Sequence, residues 1–245
     1  MENAHLIGLS RQIALQRQMD VVANNVANIN TDGFKAQALL FEEYEMPVAR
    51  HRGFAGTDQM LSFTQDWATL HDMSGGARVQ TGNPLDVALS DGGFLVVETP
   101  AGERYTRSGA LQINAEGTLV TADGNPVLGD GGPIQFGPEE TDIVFAQNGA
   151  ISSSAGAKGR LQIVAFEDVQ ALTREGATLF AGGTPQPATG VTLTQGAIER
   201  SNVSGVAEMA RMIRVSRAYQ SLASLMQKQD DLRRSAIQRL GDMQA

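Results

Sequence analysis

Residues 23–35 read ANNVANINTDGFK, with three asparagines inside the six residues 23–28, then a turn, then Phe34 and Lys35. Asparagine is a poor helix former because its amide competes for backbone hydrogen bonds, and at a helix end that competition becomes useful. The stretch is therefore read as a built helix terminus. Asn24 and Asn28 lie one turn apart on a shared face, with Asn25 beside them. The three amides are expected to bond backbone groups around the helix end and its neighbours, fixing an elbow. Gly33 supplies a positive-φ turn and Phe34 anchors the outgoing chain.

Upstream, from Leu6 to about Ile29, there is no proline and a single glycine, and apolar residues fall at helical intervals. Leu6, Leu9 and Ile13 form one stripe; Leu15, Met19, Val22, Val26 and Ile29 form a second, on roughly the opposite side at 3.6 residues per turn. Such a helix has two neighbours to satisfy. The far end of the chain behaves alike. No glycine or proline interrupts 206–240, and Met212, Val215, Tyr219, Leu222 and Met226 repeat at alternating three- and four-residue steps. Ser204 is the expected N-cap, with Glu208 placed in the first turn to meet the helix dipole. Asn202 and Val203, just ahead of that helix, complete the candidate assembly residues. Asn202-Val203-Ser204 also matches a glycosylation sequon, a pattern that arises often by chance.

Between the helical ends, short apolar runs are separated by Gly, Asn, Asp and Pro, which indicates a β-rich domain over 76–200. TLVTADGNPVLG at 118–129 is a hairpin, its turn residues Asp123-Gly124-Asn125 expected to take positive φ. Further strands are expected in NPLDVAL, GGFLVVET, RYTRSG, ALQIN, IQFG, DIVFAQ, RLQIVAF and TLFAG. Residues 146–160 are expected to hold a mobile hairpin tip, and 181–190 a returning loop. The organisation expected is α+β: a helical assembly domain from 1–35 and 201–245, its long helices paired in coiled-coil fashion, an irregular or extended connector over 36–75, and the β domain.

Composition narrows the function. The 245 residues have 42% hydrophobic content, ample for a core, but aromatics are only 5% while glycines number 27, a balance that favours turns and short strands over an aromatic-lined pocket. A net charge of -8 opposes phosphate-backbone binding, so nucleic acid is not expected as a partner. There is no cysteine, which removes disulfides and thiolate metal sites. No apolar run is long enough to span a membrane, and the first twenty residues lack a secretory h-region. His5, His51 and His71 stand in no metal-ligand spacing. Gly129-Asp130-Gly131-Gly132 runs into Pro133 rather than a helix, so it is a turn, not a phosphate cradle. Ser152-Ser153-Ser154 lacks a nucleophile-elbow context. No catalytic, cofactor or metal residues are expected.

What remains is assembly. An intramolecular antiparallel helix pair would leave one seam of each helix open, and burying a Leu, Val or Met side chain is worth on the order of 1.5 to 3 kcal/mol. Five such residues rival a domain's net stability. Intermolecular packing follows.

Four separated blocks, in order, also resemble a known family: ANNVANINTDGFK, TGNPLDVALSDGGFLVVETPAGERYTRSGAL (81–111), GTLVTADGNPVLGDGGPI (117–134) and GAIERSNVSGVAEMARMIRVSRAYQ (196–220). They are similar to the axial proteins of the bacterial flagellum, the rod and hook subunits. The opening MENAHLIGLSRQIALQRQMD, the short insert before TGNPLD, and SRAYQSLASLMQKQDDLRR at 216–234 resemble the proximal-rod members most, with the distal-rod members next. The resemblance implies helical ends lining a tube, an outer β domain, neighbouring proximal and distal rod subunits as partners, and residence in the rod across the periplasm. It also implies unfolded export through the flagellar export apparatus without a cleaved signal. A secreted β-domain binding module, using 146–160 and oligomerising through its helices, is the alternative from another class.

Overall fold

A computed structural model describes residues 2–45, 62–90 and 92–242. The chain forms two compact units, Met1–Val26 with Gln37–Leu70 and Gly205–Ala245, and Ala27–Ala36 with His71–Ser204.

The first unit is built on the two terminal helices, α1 (Glu2–Ala27) and α2 (Gly205–Asp242). α1 starts four residues before the expected Leu6 and ends among the asparagines, and α2 begins directly after Ser204. They run antiparallel. A side chain at Gly8 would meet the Met226 sulfur at 3.3 Å, Gln12 Nε2 donates to the Tyr219 hydroxyl at 2.8 Å, and Asn25 reaches Glu208, so numbers rise along one helix as they fall along the other. The lone glycine of α1 thus marks a close approach rather than a break. Along the second stripe and the α2 row, Val22 and Val215 are buried, and Leu15, Met19, Val26, Met212, Tyr219, Leu222 and Met226 are half-buried. From residue 231 to 239 every α2 side chain is exposed.

The connector, expected to be irregular or extended over 36–75, has two extended stretches among its described residues. Residues 37–45 and 62–71 are the strands β1 (Gln37–Glu45) and β2 (Ser62–His71), which pair in a two-stranded sheet. Their sequence lacks the clean alternation that identifies a half-buried strand, which hid them. The unit boundaries also run differently from the sequence reading: 27–36 and 201–204 belong with the β-rich unit, and 37–70 with the helices.

In the second unit the central feature is an antiparallel sheet of six strands, in the order Thr173–Glu175, Leu179–Ala181, Gly102–Thr106, Phe94–Thr99, Ile163–Ala165, Gln186–Pro187. Its middle strand explains the continuous apolar run FLVV. Leu95 and Val97 point into one core with Leu111, Leu119, Phe136 and Leu161, while Phe94 and Val96 point into another with Tyr105, Leu128 and Phe180. A strand buried on both faces cannot alternate. Edge-to-face rings, Phe94 on Phe180 at 5.9 Å and Tyr105 on Phe166 at 4.7 Å, fill the second core.

The hairpin at 118–129 is present: Thr121 N donates to Asn125 O and Val127 N to Leu119 O, each at 2.9 Å. Only Gly124 takes positive φ there, at 83°, so Asp123 and Asn125 do not share that role as expected. Two other expectations are corrected. IQFG forms no strand beyond a single bridge at Gln135, and the 181–190 loop carries the edge strand Gln186–Pro187. Within 146–160, Ala150–Ser153 and Gly156–Arg160 pair as a hairpin. His51 lies outside the described residues.

Candidate assembly site

Two clusters gather the residues singled out at the chain's ends. In the helical unit, Asn25 is fully buried. Its Oδ1 accepts from the Gln37 amide at 3.0 Å and its Nδ2 donates to the Gln37 carbonyl at 2.9 Å, with Glu208 Oε2 at 3.4 Å. A side-chain amide carries the same donor and acceptor as a peptide, so Asn25 serves the first residue of β1 as a neighbouring strand would. Glu208 is also held by Arg211 at 2.8 Å, one turn on along α2. Asn28 caps the turn that follows α1, its Oδ1 accepting from the Thr31 hydroxyl at 3.1 Å and its carbonyl from the Thr31 amide at 3.2 Å. Asn24 is exposed, and Ile29 is half-buried in the turn.

The first stripe of α1 is not covered. Leu6, Leu9 and Ile13 are 52%, 44% and 53% exposed, and on α2 Val206, Met209, Ile213, Leu225, Leu232 and Ile237 stand open as well. α1 therefore keeps an exposed apolar row, and on α2 Val206, Met209 and Ile213 share one exposed face.

In the β-rich unit the second cluster joins 33–36 to 199–203. Gly33 has φ +72° and donates to the Glu199 carbonyl at 2.7 Å; an added Cβ would sit 2.3 Å from the Ser108 nitrogen. Glycine is required on both counts. Phe34 is fully buried, and Val203 is buried too. Asn202 ties three segments, accepting from Ala36 N at 2.7 Å while its Nδ2 donates to Asp72 O at 2.8 Å and Ser74 O at 3.3 Å. Asn25 and Asn202 thus perform parallel tasks, each using one side-chain amide to bond backbone groups of another segment.

Charged residues that the sequence reading passed over complete this cluster. Lys35 is wholly buried, its Nζ donating to Glu199 Oε1 at 2.5 Å and to the Ser74 carbonyl at 2.6 Å. Burial pushes its pKa below the usual lysine range, against the pull of the Glu199 hydrogen bond and charge. Glu199 also accepts from Gly76 N at 2.9 Å and has Arg107 Nη1 at 3.9 Å. Arg174 lies over the Phe34 ring at 4.3 Å and donates to the Lys35 carbonyl; burial lowers its pKa to about 10. Lys35 closes the opening motif, but nothing in sequence spacing links it to a glutamate 164 residues away.

Comparison with known proteins bears on these same segments. Residues 6–35 match the family described as flagella basal body rod protein, 88–153 the flagellar hook protein FlgE/F/G D1 domain, and 194–239 the flagellar basal body rod FlgEFG protein C-terminal. The flagellar basal-body rod protein FlgF of Caulobacter vibrioides is 38% identical, covering 98% of this chain and 99% of that protein. The chain belongs to the flagellar basal-body rod protein family. A second rod relative, FlgF of Mesorhizobium japonicum, is 34% identical over 98% of this chain and 99% of its own length. FlgG of Buchnera aphidicola subsp. Baizongia pistaciae is 29% identical, over 89% of this chain and 92% of its own. Asn25, Asn28, Gly33, Phe34 and Lys35 fall inside the 6–35 match, and Glu199, Asn202, Val203, Glu208 and Arg211 inside the 194–239 match. No helix among the described residues is long and apolar enough to cross a membrane.

Proposed function

We propose that this chain is a structural subunit of the flagellar basal-body rod, of the proximal-rod kind, which stacks with copies of itself and with other rod subunits to carry torque from motor to hook. The observation that supports this most is the uncovered row Leu6, Leu9 and Ile13 on a helix whose other apolar stripe is already occupied. An interface between unlike surfaces of identical subunits continues as a helix unless it closes. Crystal-like packing of helical seams gives such a filament its torsional stiffness.

On this reading the helix pair is coiled-coil-like and forms the tube, Asn25 holds the start of β1, and Asn202 holds Ala36 and the 72–74 segment. The subunit leaves the cell unfolded through the flagellar export apparatus and resides in the rod across the periplasm. Isolated helical ends are marginal in water, so they order on docking. The role is structural, with no reaction assigned.

Deletion of the gene followed by imaging of basal bodies tests the proposal: the rod is expected to end near its base. Complete rods and hooks in the deletion strain would contradict it. The second reading is a distal-rod subunit, favoured by the FlgG relatives; a truncation beyond a completed proximal rod would select it.

A further inference from the structure

The strand Gln186–Pro187 stands last in the six-stranded order, with Ile163–Ala165 on one side and no further strand among the described residues on the other. Pro185, Gln186 and Pro187 are all exposed, so this edge is open to solvent. An open edge presents a row of N–H and C=O groups to any strand that arrives, and it is the ordinary template for strand addition.

The register says which groups those are. Val164 lies opposite Pro187 and Ala165 opposite Gln186, while Ala188 N donates to the Ile163 carbonyl at 3.1 Å. In an antiparallel pair, bonded and unbonded positions alternate. Residues 186 and 188 therefore turn their backbone groups toward Ile163–Ala165, and 185 and 187 turn theirs away from the sheet. Both outward positions are proline, which has no N–H. The edge offers carbonyls alone.

We propose that Pro185 and Pro187 close this edge against strand addition by a second copy of the chain. Paired edge to edge about Gln186, two antiparallel copies would set Pro185 of each opposite Pro187 of the other, and every ladder bond between them would need a donor that proline lacks. The other outer strands are defended by different means. Thr173–Glu175 is three residues long and has Glu175 tied to Arg104 at 2.7 Å, while Gly156–Arg160 carries Lys158 and Arg160 opposite a bulge at Ile151–Ser152. The inference concerns the β-rich unit and does not rest on the rod reading.

The test uses the purified full-length chain. Pro185→Thr combined with Pro187→Thr restores both outward donors in a residue type that favours strands. Gln186→Thr makes the same kind of change one position off, where the N–H faces inward, and is the control. Sedimentation velocity over a concentration series is expected to show the double variant associating at least tenfold more strongly than the wild type, with Gln186→Thr unchanged. Amide exchange at 185 and 187 of the double variant is expected to slow as chain concentration rises. Where circular dichroism shows the double variant unfolded, Pro187→Thr alone carries both readouts. Association equal to that of the wild type overturns the proposal. So does an equal gain from Gln186→Thr, which would report side-chain stickiness, or a gain with the amides at 185 and 187 still exchanging freely, which would place the contact elsewhere.

Discussion

Asn25 and Gln37 exchange two hydrogen bonds, at 3.0 and 2.9 Å, through one side-chain amide that no helix residue of another type reproduces. Aspartate keeps the acceptor, loses the donor to the Gln37 carbonyl, and sets a second carboxylate near Glu208. Leucine loses both bonds. A buried group left unsatisfied costs about 1 to 3 kcal/mol. Asn25→Leu and Asn25→Asp are each expected to destabilise the chain by at least that, with Asp no milder than Leu at neutral pH. Chemical denaturation followed by circular dichroism checks this; a change below about 0.5 kcal/mol in both would remove the role given to Asn25.

Lys35 and Glu199 make a buried ion pair, with exposures of 0% and 2%. Removing one member of such a pair strands the other charge and typically costs about 3 to 5 kcal/mol, whereas removing both is far milder. Lys35→Met and Glu199→Gln are expected to be strongly destabilising singly and less than additive together, the double cycle giving a coupling of about 2 kcal/mol or more. Additive losses would mean the two act independently.

Gly33 allows no side chain. Its φ of +72° and the 2.3 Å approach to Ser108 N both oppose a Cβ, and the obstacle is backbone. Gly33→Ala is expected to cost more than the roughly 1 kcal/mol of a left-handed alanine alone, because the strand end must also move. Thermal unfolding of the variant measures it, and a loss under about 1 kcal/mol would show that the turn relaxes freely.

The hairpin at 150–160 carries an acid-sensitive clamp. Glu140 accepts from Lys158, from Ser153 Oγ at 2.7 Å and from Gly137 N at 2.9 Å, and these bonds, Lys158 first, lower its pKa from 4.5 to about 2. Between those values the unfolded chain binds more protons than the folded one, so the clamp's contribution is complete above about pH 5 and declines as pH falls through the window. Glu140→Gln is expected to flatten the slope of stability against pH between 5 and 2. An unchanged slope would assign the acid response elsewhere.

How far the fold was legible follows from which residues report locally. The periodic rows Leu15, Met19, Val22 and Met212, Val215, Tyr219 could be read because both helices carry their periodicity in sequence. The asparagine cluster announced a helix end, but which amide turned inward depended on where β1 ran, and β1 lacks an alternating pattern. Asn202 looked like an accidental sequon, although it binds Ala36 and the 72–74 segment, which are adjacent to it only in space. Lys35, Glu199 and Arg174 were invisible for the same reason: burial of charge is decided by partners far along the chain, and single-residue signals argue against it.

The most direct measurement is an electron cryomicroscopy map of the basal body in which side chains of this subunit are seen. The account predicts Leu6, Leu9 and Ile13 packed against a neighbouring subunit, with the α1–α2 seam retained. If those three side chains face water or the open channel in the assembled rod, the claim that the second apolar row drives assembly is contradicted.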